Sequence, residues 1–297
     1  MNICKNLLAH YKNGNYVVRL FSDGTKIRVT LDDDFDSVFP ESIDIKITNY
    51  CDMNCPMCHE MSNISGRHGN LDLPFLNTLN PGTELAIGGG NPLSHPDLVS
   101  FLNRMKDKGI ICNLTVNQKH FINNTDLLEK LINDRLIYGL GISIINDSYL
   151  DDIIKFASIY KNTVIHIIAG IIDEKLLTKL YDKNLKLLIL GYKEFGRGIN
   201  YYNEDVKNKL EYLKNNITDI GKHFYILSFD NLAISQLDMK NKISKSDYEK
   251  YYMGDDGNFT MYIDLVNEEF SLSSVTKKRY KLLNDIKDMF KIVRKEK

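Results

Sequence analysis

The chain has no excess of charge of either sign: 38 lysines and arginines stand against 39 aspartates and glutamates in 297 residues, a formal net charge of −1. That leaves no general electrostatic case for binding nucleic acid or a membrane surface. No apolar run approaches the roughly 18–20 residues that a transmembrane helix needs. The start, Met1-Asn2-Ile3-Cys4-Lys5, has neither the apolar stretch nor the small-residue cleavage site of a signal peptide, so a cytoplasmic protein is expected. Proline is scarce: there are six, and none follows Pro96. The later two thirds can therefore run as regular elements without proline breaks. Cysteine is scarcer, with five residues and none beyond Cys112. An odd number, three of them clustered, does not suit a disulfide framework. Solenoid repeats and low-complexity tracts are missing. What remains is an ordinary globular composition, 43% hydrophobic and 26% charged, long enough for one large core.

Along the chain, residues 1–40 read as a small appendage. Two β-prone runs, 16–21 and 26–31, flank Ser22-Asp23-Gly24-Thr25, whose Asp-Gly pair suits a hairpin turn. The acidic stretch 32–36 reads as a solvated linker. From residue 42 short β-branched runs alternate with amphipathic helical stretches. The strands fall at 42–48, 84–87, 110–116, 137–144, 164–169 and 185–190. Six β/α units with short connections predict a parallel sheet with helices outside, an incomplete version of the eight-unit barrel with ligands at the strand C-terminal ends. The expected fold class is thus α/β, a partial (β/α)6 barrel over residues 41–200. The extension 201–297 holds a helix at about 203–215, a second hairpin over 259–272, and a basic amphipathic helix from Lys277 onward. The apolar stripe of that last helix suits docking on the core.

The chemistry is concentrated in Cys51-Asp52-Met53-Asn54-Cys55-Pro56-Met57-Cys58, directly after the first strand of the series. Clustered thiols in a reducing compartment read as metal ligands or redox groups. Zinc would need a fourth ligand, and His59 is adjacent. An iron–sulfur cubane held by three thiolates keeps one iron open for a small molecule. Both readings stand on the residues alone.

The Cys-x-x-x-Cys-x-x-Cys spacing in that place resembles the signature of the radical S-adenosylmethionine enzymes. The resemblance implies that Cys51, Cys55 and Cys58 hold a [4Fe–4S] cluster and that S-adenosylmethionine chelates its fourth iron. One-electron reduction then releases a 5′-deoxyadenosyl radical, which abstracts a hydrogen atom from a substrate. A flavodoxin or ferredoxin would supply the electron. A second motif, Gly89-Gly90-Asn91-Pro92, is similar to the family's Gly-Gly-Glu-Pro segment beside the methionine amino group. Asn91 departs from that pattern: an amide oxygen can accept from an ammonium but brings no charge. Asn117, Ser143 and Gly170 resemble further cosubstrate positions at strand ends. Met57 stands where the family often has an aromatic residue near adenine, and a thioether can pack on a purine. The likeness covers roughly residues 42–200.

Because no cysteine follows Cys112, a single cluster is expected. That favours hydrogen abstraction followed by rearrangement, epimerisation or another redox-neutral outcome over sulfur insertion. Residues 253–264 resemble the hairpin of auxiliary-cluster extensions without their cysteines, which favours a peptide or protein substrate over a small metabolite. The shortness of residues 1–40 as a leader-peptide-binding domain weighs the other way. Candidate substrate contacts are His59, Glu60, Arg67 and His68 after the cysteines, and Tyr192, Glu194 and Arg197 after the sixth strand. Solvated loops would look the same. Cys112 or Cys4 could return a hydrogen atom to a product radical, or be an inert buried thiol. The alternative function is a non-catalytic protein with a structural zinc or iron–sulfur site in a degenerate scaffold of the same kind.

Overall fold

The computed structural model describes residues 6–296; Cys4 lies outside them. Three strands form a small antiparallel sheet: β1 Leu7–Asn13, β2 Tyr16–Phe21 and β3 Lys26–Val29. The hairpin read from the sequence is β2–β3, and Gly24 takes φ +90° in its turn. β1 was not anticipated, because Leu7, Ala9 and Tyr11 face outward or lie half-buried rather than in a clean alternation.

Among the described residues the main sheet has ten strands. β4 Ser42–Thr48, β5 Glu84–Gly89, β6 Ile111–Asn117, β7 Gly139–Ser143, β8 Thr163–Ile168, β9 Lys186–Leu190 and β10 Ile226–Phe229 lie side by side, all parallel. β11 Thr260–Asp264 returns to pair in parallel with β4 on its other side. β12 Glu269–Ser271 and β13 Tyr280–Lys281 continue antiparallel from there. The alternating α/β fold is present, with a larger sheet than six units supply. β10 is four residues long, and the stretch from it to β11 carries only short helices, so the rhythm is lost to the eye after residue 200. The expected second hairpin is β11–β12, built into the main sheet. β10 and β13 end the row, so the sheet is open.

Helices connect the strands: α1 Leu98–Asp107, α2 Gln118–Asn123, α3 Thr125–Asn133, α4 Leu150–Ile159, α5 Glu174–Leu180, α6 Gly198–Tyr201, α7 Glu204–Gly221, α8 Asn231–Gln236, α9 Lys245–Tyr251 and α10 Ile286–Arg294. α10 starts nine residues later than the sequence suggested. Asp285 caps it, accepting from the Lys287 N–H at 2.7 Å, and residues 280–281 are strand instead. Its apolar side, Ile286, Met289, Phe290 and Val293, is buried in the core. Among the described residues no helix is long and apolar enough to cross a membrane.

One face of the sheet is core. Ile43, Ile45, Ile47, Leu85, Ile87, Leu114, Val116, Ile142, Ile165, Ile167, Leu187 and Ile189 are at most 2% exposed and pack with the helices. A parallel sheet normally buries both faces in apolar side chains. Here the alternate positions of β4 to β7 are mostly polar or small, Asp44, Lys46, Ala86, Gly88, Asn113, Thr115, Gly139, Gly141 and Ser143, and β8 adds His166, whereas Leu188 and Leu190 of β9 are apolar. A Cβ on Gly88 would meet nothing within 4 Å, so this face has open space. The small sheet lies at the N-terminal ends of the strands. Lys26 bridges Glu41 and Glu84 there, Arg28 pairs with Glu41, and Asn162 donates to the Ser22 carbonyl. The strand C-terminal ends are left for the cysteine loop.

His166 shows how tightly the polar face is built. A Cβ on Gly141 would sit 2.2 Å from the His166 ring. Burial pushes the imidazole down to about 4. The folded chain then binds fewer protons than the unfolded chain between about pH 6.5 and 4, so stability falls as pH drops through that window, by up to about 3 kcal/mol. Urea midpoints of wild type and His166→Gln, followed from pH 7 to 4, are expected to converge as the pH falls. Parallel profiles would show that the ring carries no such penalty.

Candidate metal centre

β4 ends at Thr48, whose hydroxyl receives the Tyr50 N–H at 3.0 Å and so turns the chain into the cysteine loop. The loop is closed by a short ladder: Cys51 N–H to Asn63 carbonyl, 2.9 Å, and Asn63 N–H to Asn49 carbonyl, 3.1 Å. Asn54 takes φ +44° between the first and second cysteines, a conformation asparagine tolerates. Cys58 N–H bonds the Cys55 carbonyl at 3.2 Å. Cys51 is 9% exposed, while Cys55 and Cys58 are half-buried. Burial pushes the Cys51 and Cys55 thiols up, and each is pushed further by Cys58; Cys55 also feels Cys51. Three thiols thus share one electrostatic neighbourhood.

The second motif is fastened to this loop. Gly90 N–H bonds the Thr48 carbonyl and Asn91 N–H the Tyr50 carbonyl, both at 2.7 Å. A Cβ on Gly89 would fall 2.2 Å from the Thr48 oxygen, and one on Gly90 would fall 2.1 Å from the Tyr50 oxygen. The glycines therefore allow backbone to lie on backbone. Asn91 caps the short turn Pro92–Ser94, accepting from Leu93 N–H at 3.2 Å. Asn117, Ser143 and His166 lie in register across the ends of β6, β7 and β8. Asn117 caps α2 through the Lys119 N–H. Gly170 takes φ +82°, and a Cβ there would press on Val206 at 2.8 Å. Met57 is half-buried in the loop itself.

The candidates outside the cysteines separate into two groups. His59 and Glu60 join a charged network that the sequence did not reveal. Lys46 sits between Glu60 at 2.9 Å and Asp264 at 3.0 Å; Tyr262 donates to Glu60 at 3.1 Å; Lys193 lies 3.3 Å from His59. Burial opposes the Glu60 charge, yet His59 and Lys46 hold its carboxyl well below the usual range. A lysine between two isoleucines in β4 was the one available signal. Asp44, two residues earlier on the same face, makes no hydrogen bond or ion pair among the described residues. The protein packed around its accessible carboxyl, with Asp256, Asp230 and Glu60 adding against the opposing Lys193, pushes it up to about 6.

The second group serves the backbone. Arg67 donates to the Val266 carbonyl at 2.8 Å, and His68 contacts the Thr48 hydroxyl at 2.9 Å. Tyr192 is 2% exposed, with its hydroxyl on the Gly198 carbonyl. Arg197 grips the cysteine loop: its Nε donates to the Cys55 carbonyl at 3.0 Å, a terminal nitrogen to the Ser62 carbonyl at 2.9 Å, and its own N–H to the Cys58 carbonyl at 3.1 Å. Glu194 is exposed. Cys112 is 1% exposed, and burial pushes its thiol up to about 12, as for an inert core thiol.

The donor set fits a cluster better than one ion held by all three thiols. Among the described residues the three sulfurs do not gather within 4.8 Å of one another, whereas Cys51, Asp52 and His120 do. Asp52 accepts from His120 at 2.6 Å. An iron–sulfur cluster is held by thiolates spread around it, and the anchored loop presents three, with Cys55 and Cys58 partly accessible.

No protein-family model matches the chain, and no curated protein does. Solved structures of SuiB from Streptococcus suis match it in fold. SuiB bound to S-adenosylmethionine superposes with a TM-score of 0.57 at 16% identity, covering 82% of this chain and 64% of that one. SuiB bound to the precursor peptide SuiA gives 0.57 at 18%, covering 86% and 65%. A third SuiB structure gives 0.60 at 15%, covering 98% and 88%. This chain spans less than two thirds of the first two. The chain shares the α/β fold of SuiB.

Proposed function

We propose that the chain is a radical S-adenosylmethionine enzyme with one [4Fe–4S] cluster, acting on a peptide. The observation that carries this reading is the fastening of the Gly89–Gly90–Asn91 turn to the cysteine loop by two backbone hydrogen bonds. That contact brings together the thiols that would hold the cluster and the backbone that would take the cosubstrate. Cys51, Cys55 and Cys58 would each hold an iron. When bound, the cluster supplies the electron that breaks a C–S bond of S-adenosylmethionine and so allows hydrogen abstraction. The turn 89–92 would receive the methionine amino group; Asn117, Ser143, Gly170 and Met57 would line the rest of the cosubstrate. The polar face of the sheet, roomy at Gly88, would hold the substrate side chain. SuiB binds both S-adenosylmethionine and a peptide, which supports the same pair here. An outcome without net redox change fits a chain with no cysteine beyond Cys112, and a flavodoxin or ferredoxin would deliver the electron.

A second reading rests on Cys51, Asp52 and His120, which are close enough to take one ion. It makes the chain a structural metal protein. Anaerobic reconstitution with iron and sulfide, then dithionite and S-adenosylmethionine, separates the two. Cleavage to 5′-deoxyadenosine is expected for wild type and background only for Cys55→Ala. Cleavage that survives Cys55→Ala would refute the ligand assignment, and none in wild type would refute the enzyme.

A further inference from the structure

The segment after β9 closes over the cysteine loop. A Cβ on Gly196 would lie 2.4 Å from the His59 carbonyl oxygen, and one on Gly198 would lie 2.2 Å from that of Lys193. The segment is itself held from the far side. Gly191 N–H bonds the Asp230 carboxylate at 2.9 Å, and Tyr192 exchanges backbone hydrogen bonds with the Gln236 amide at 2.8 and 2.9 Å. Residues 191–198 therefore tie the loop to the end of β9 and to α8.

Arg197 is the charged member of this clasp. Its side chain donates to the carbonyl oxygens of Cys55 and Ser62, and its backbone N–H donates to that of Cys58. The guanidinium fork suits two carbonyls in fixed positions, which an ammonium cannot match. Among the described residues no carboxylate pairs with it within 4.0 Å. The side chain is half-buried, so its charge is screened less than on an open surface. A full positive charge, unneutralised by an ion pair, thus sits against the backbone of Cys55 within the cysteine loop. Groups that hold a ligand loop tune the centre it carries.

We propose that Arg197 is a positioning residue that fixes the cysteine loop and sets the reduction potential of the centre it holds. This rests on the cluster reading above. Reduction adds a negative charge to an already anionic group of thiolates and iron. A nearby cation stabilises the reduced form, so it raises the potential. The side-chain contacts to the Cys55 and Ser62 carbonyls hold the cysteine loop in place and slow loss of iron.

The variants Arg197→Gln and Arg197→Lys divide charge from shape. In the reconstituted full chain, an electron-spin-resonance redox titration should place Arg197→Gln at a more negative potential than wild type and Arg197→Lys near wild type. Both should lose iron to a chelator roughly tenfold faster, the equivalent of one lost charged hydrogen bond. If Arg197→Gln assembles no cluster, Arg197→Lys still decides: faster iron loss at an unchanged potential is expected. Melting of the iron-free chains shows whether the variants remain folded. Equal potentials for wild type and Arg197→Gln, or equal shifts in both variants, would overturn the inference while leaving the cluster reading intact. A wild-type chain that takes up no cluster would overturn both.

Discussion

Gly89→Ala is expected to destabilise the chain by about 3 kcal/mol or more and to abolish uptake of iron. Gly89 takes φ +114°, where a Cβ is strained by roughly 1–3 kcal/mol wherever it occurs. The new atom would also lie 2.2 Å from the Thr48 carbonyl oxygen and 3.0 Å from Lys46 Cγ. The carbonyl belongs to the last residue of β4, and it accepts the Gly90 N–H. It cannot retreat without opening the joint between turn and loop. Gly88→Ala is the control, since its Cβ would meet nothing. It should be neutral or slightly stabilising, because alanine restricts the unfolded chain. Chemical denaturation and iron content of both variants check this. Equal behaviour would mean that the close approach at Gly89 is not needed.

Lys46→Met should cost about 3–5 kcal/mol at neutral pH, because it leaves Glu60 and Asp264 charged and buried without their shared cation. Lys46 is 5% exposed and Asp264 3%. Asp264 keeps the Val266 and Asn267 N–H groups, so Glu60 is left worse placed. The pH dependence follows from Glu60. Its folded carboxyl is held below its ordinary value of 4.5, so the stability it contributes is present above that value and lost as pH falls through and below it. The gap between wild type and Lys46→Met is thus widest near neutrality and narrows below about pH 4.5. Replacing Glu60 and Asp264 as well by apolar residues should recover much of the loss. A gap independent of pH would show that packing of the lysine stem, not its charge, sets the cost.

The cysteine loop and the glycine turn were legible because each is contiguous and its spacing carries chemistry. The order of β4 to β9 was legible because apolar alternation and helical stripes are local signals. The places of β10 and β11 in the sheet were not. Their pairing partners, Lys186–Ile189 and Ser42–Lys46, are distant in the chain, and nothing local states which strand a short run will join. The same limit explains the site. Lys46 meets Glu60 and Asp264 only because β11 returns beside β4. Arg197 looked like a polar residue at a strand end, suited to substrate. Its side chain turns instead to carbonyls 135 and 142 residues away. Asn91, read as a cosubstrate contact, has its amide oxygen already serving the Leu93 N–H.

The most direct test of the metal centre is the electron-spin-resonance spectrum of the anaerobically reconstituted, reduced chain, with and without S-adenosylmethionine. About four irons per chain and a spectrum that changes when S-adenosylmethionine is added are the expected result. A single zinc, or an iron–sulfur spectrum indifferent to S-adenosylmethionine, would contradict the assignment of Cys51, Cys55 and Cys58 to a cluster with an open iron.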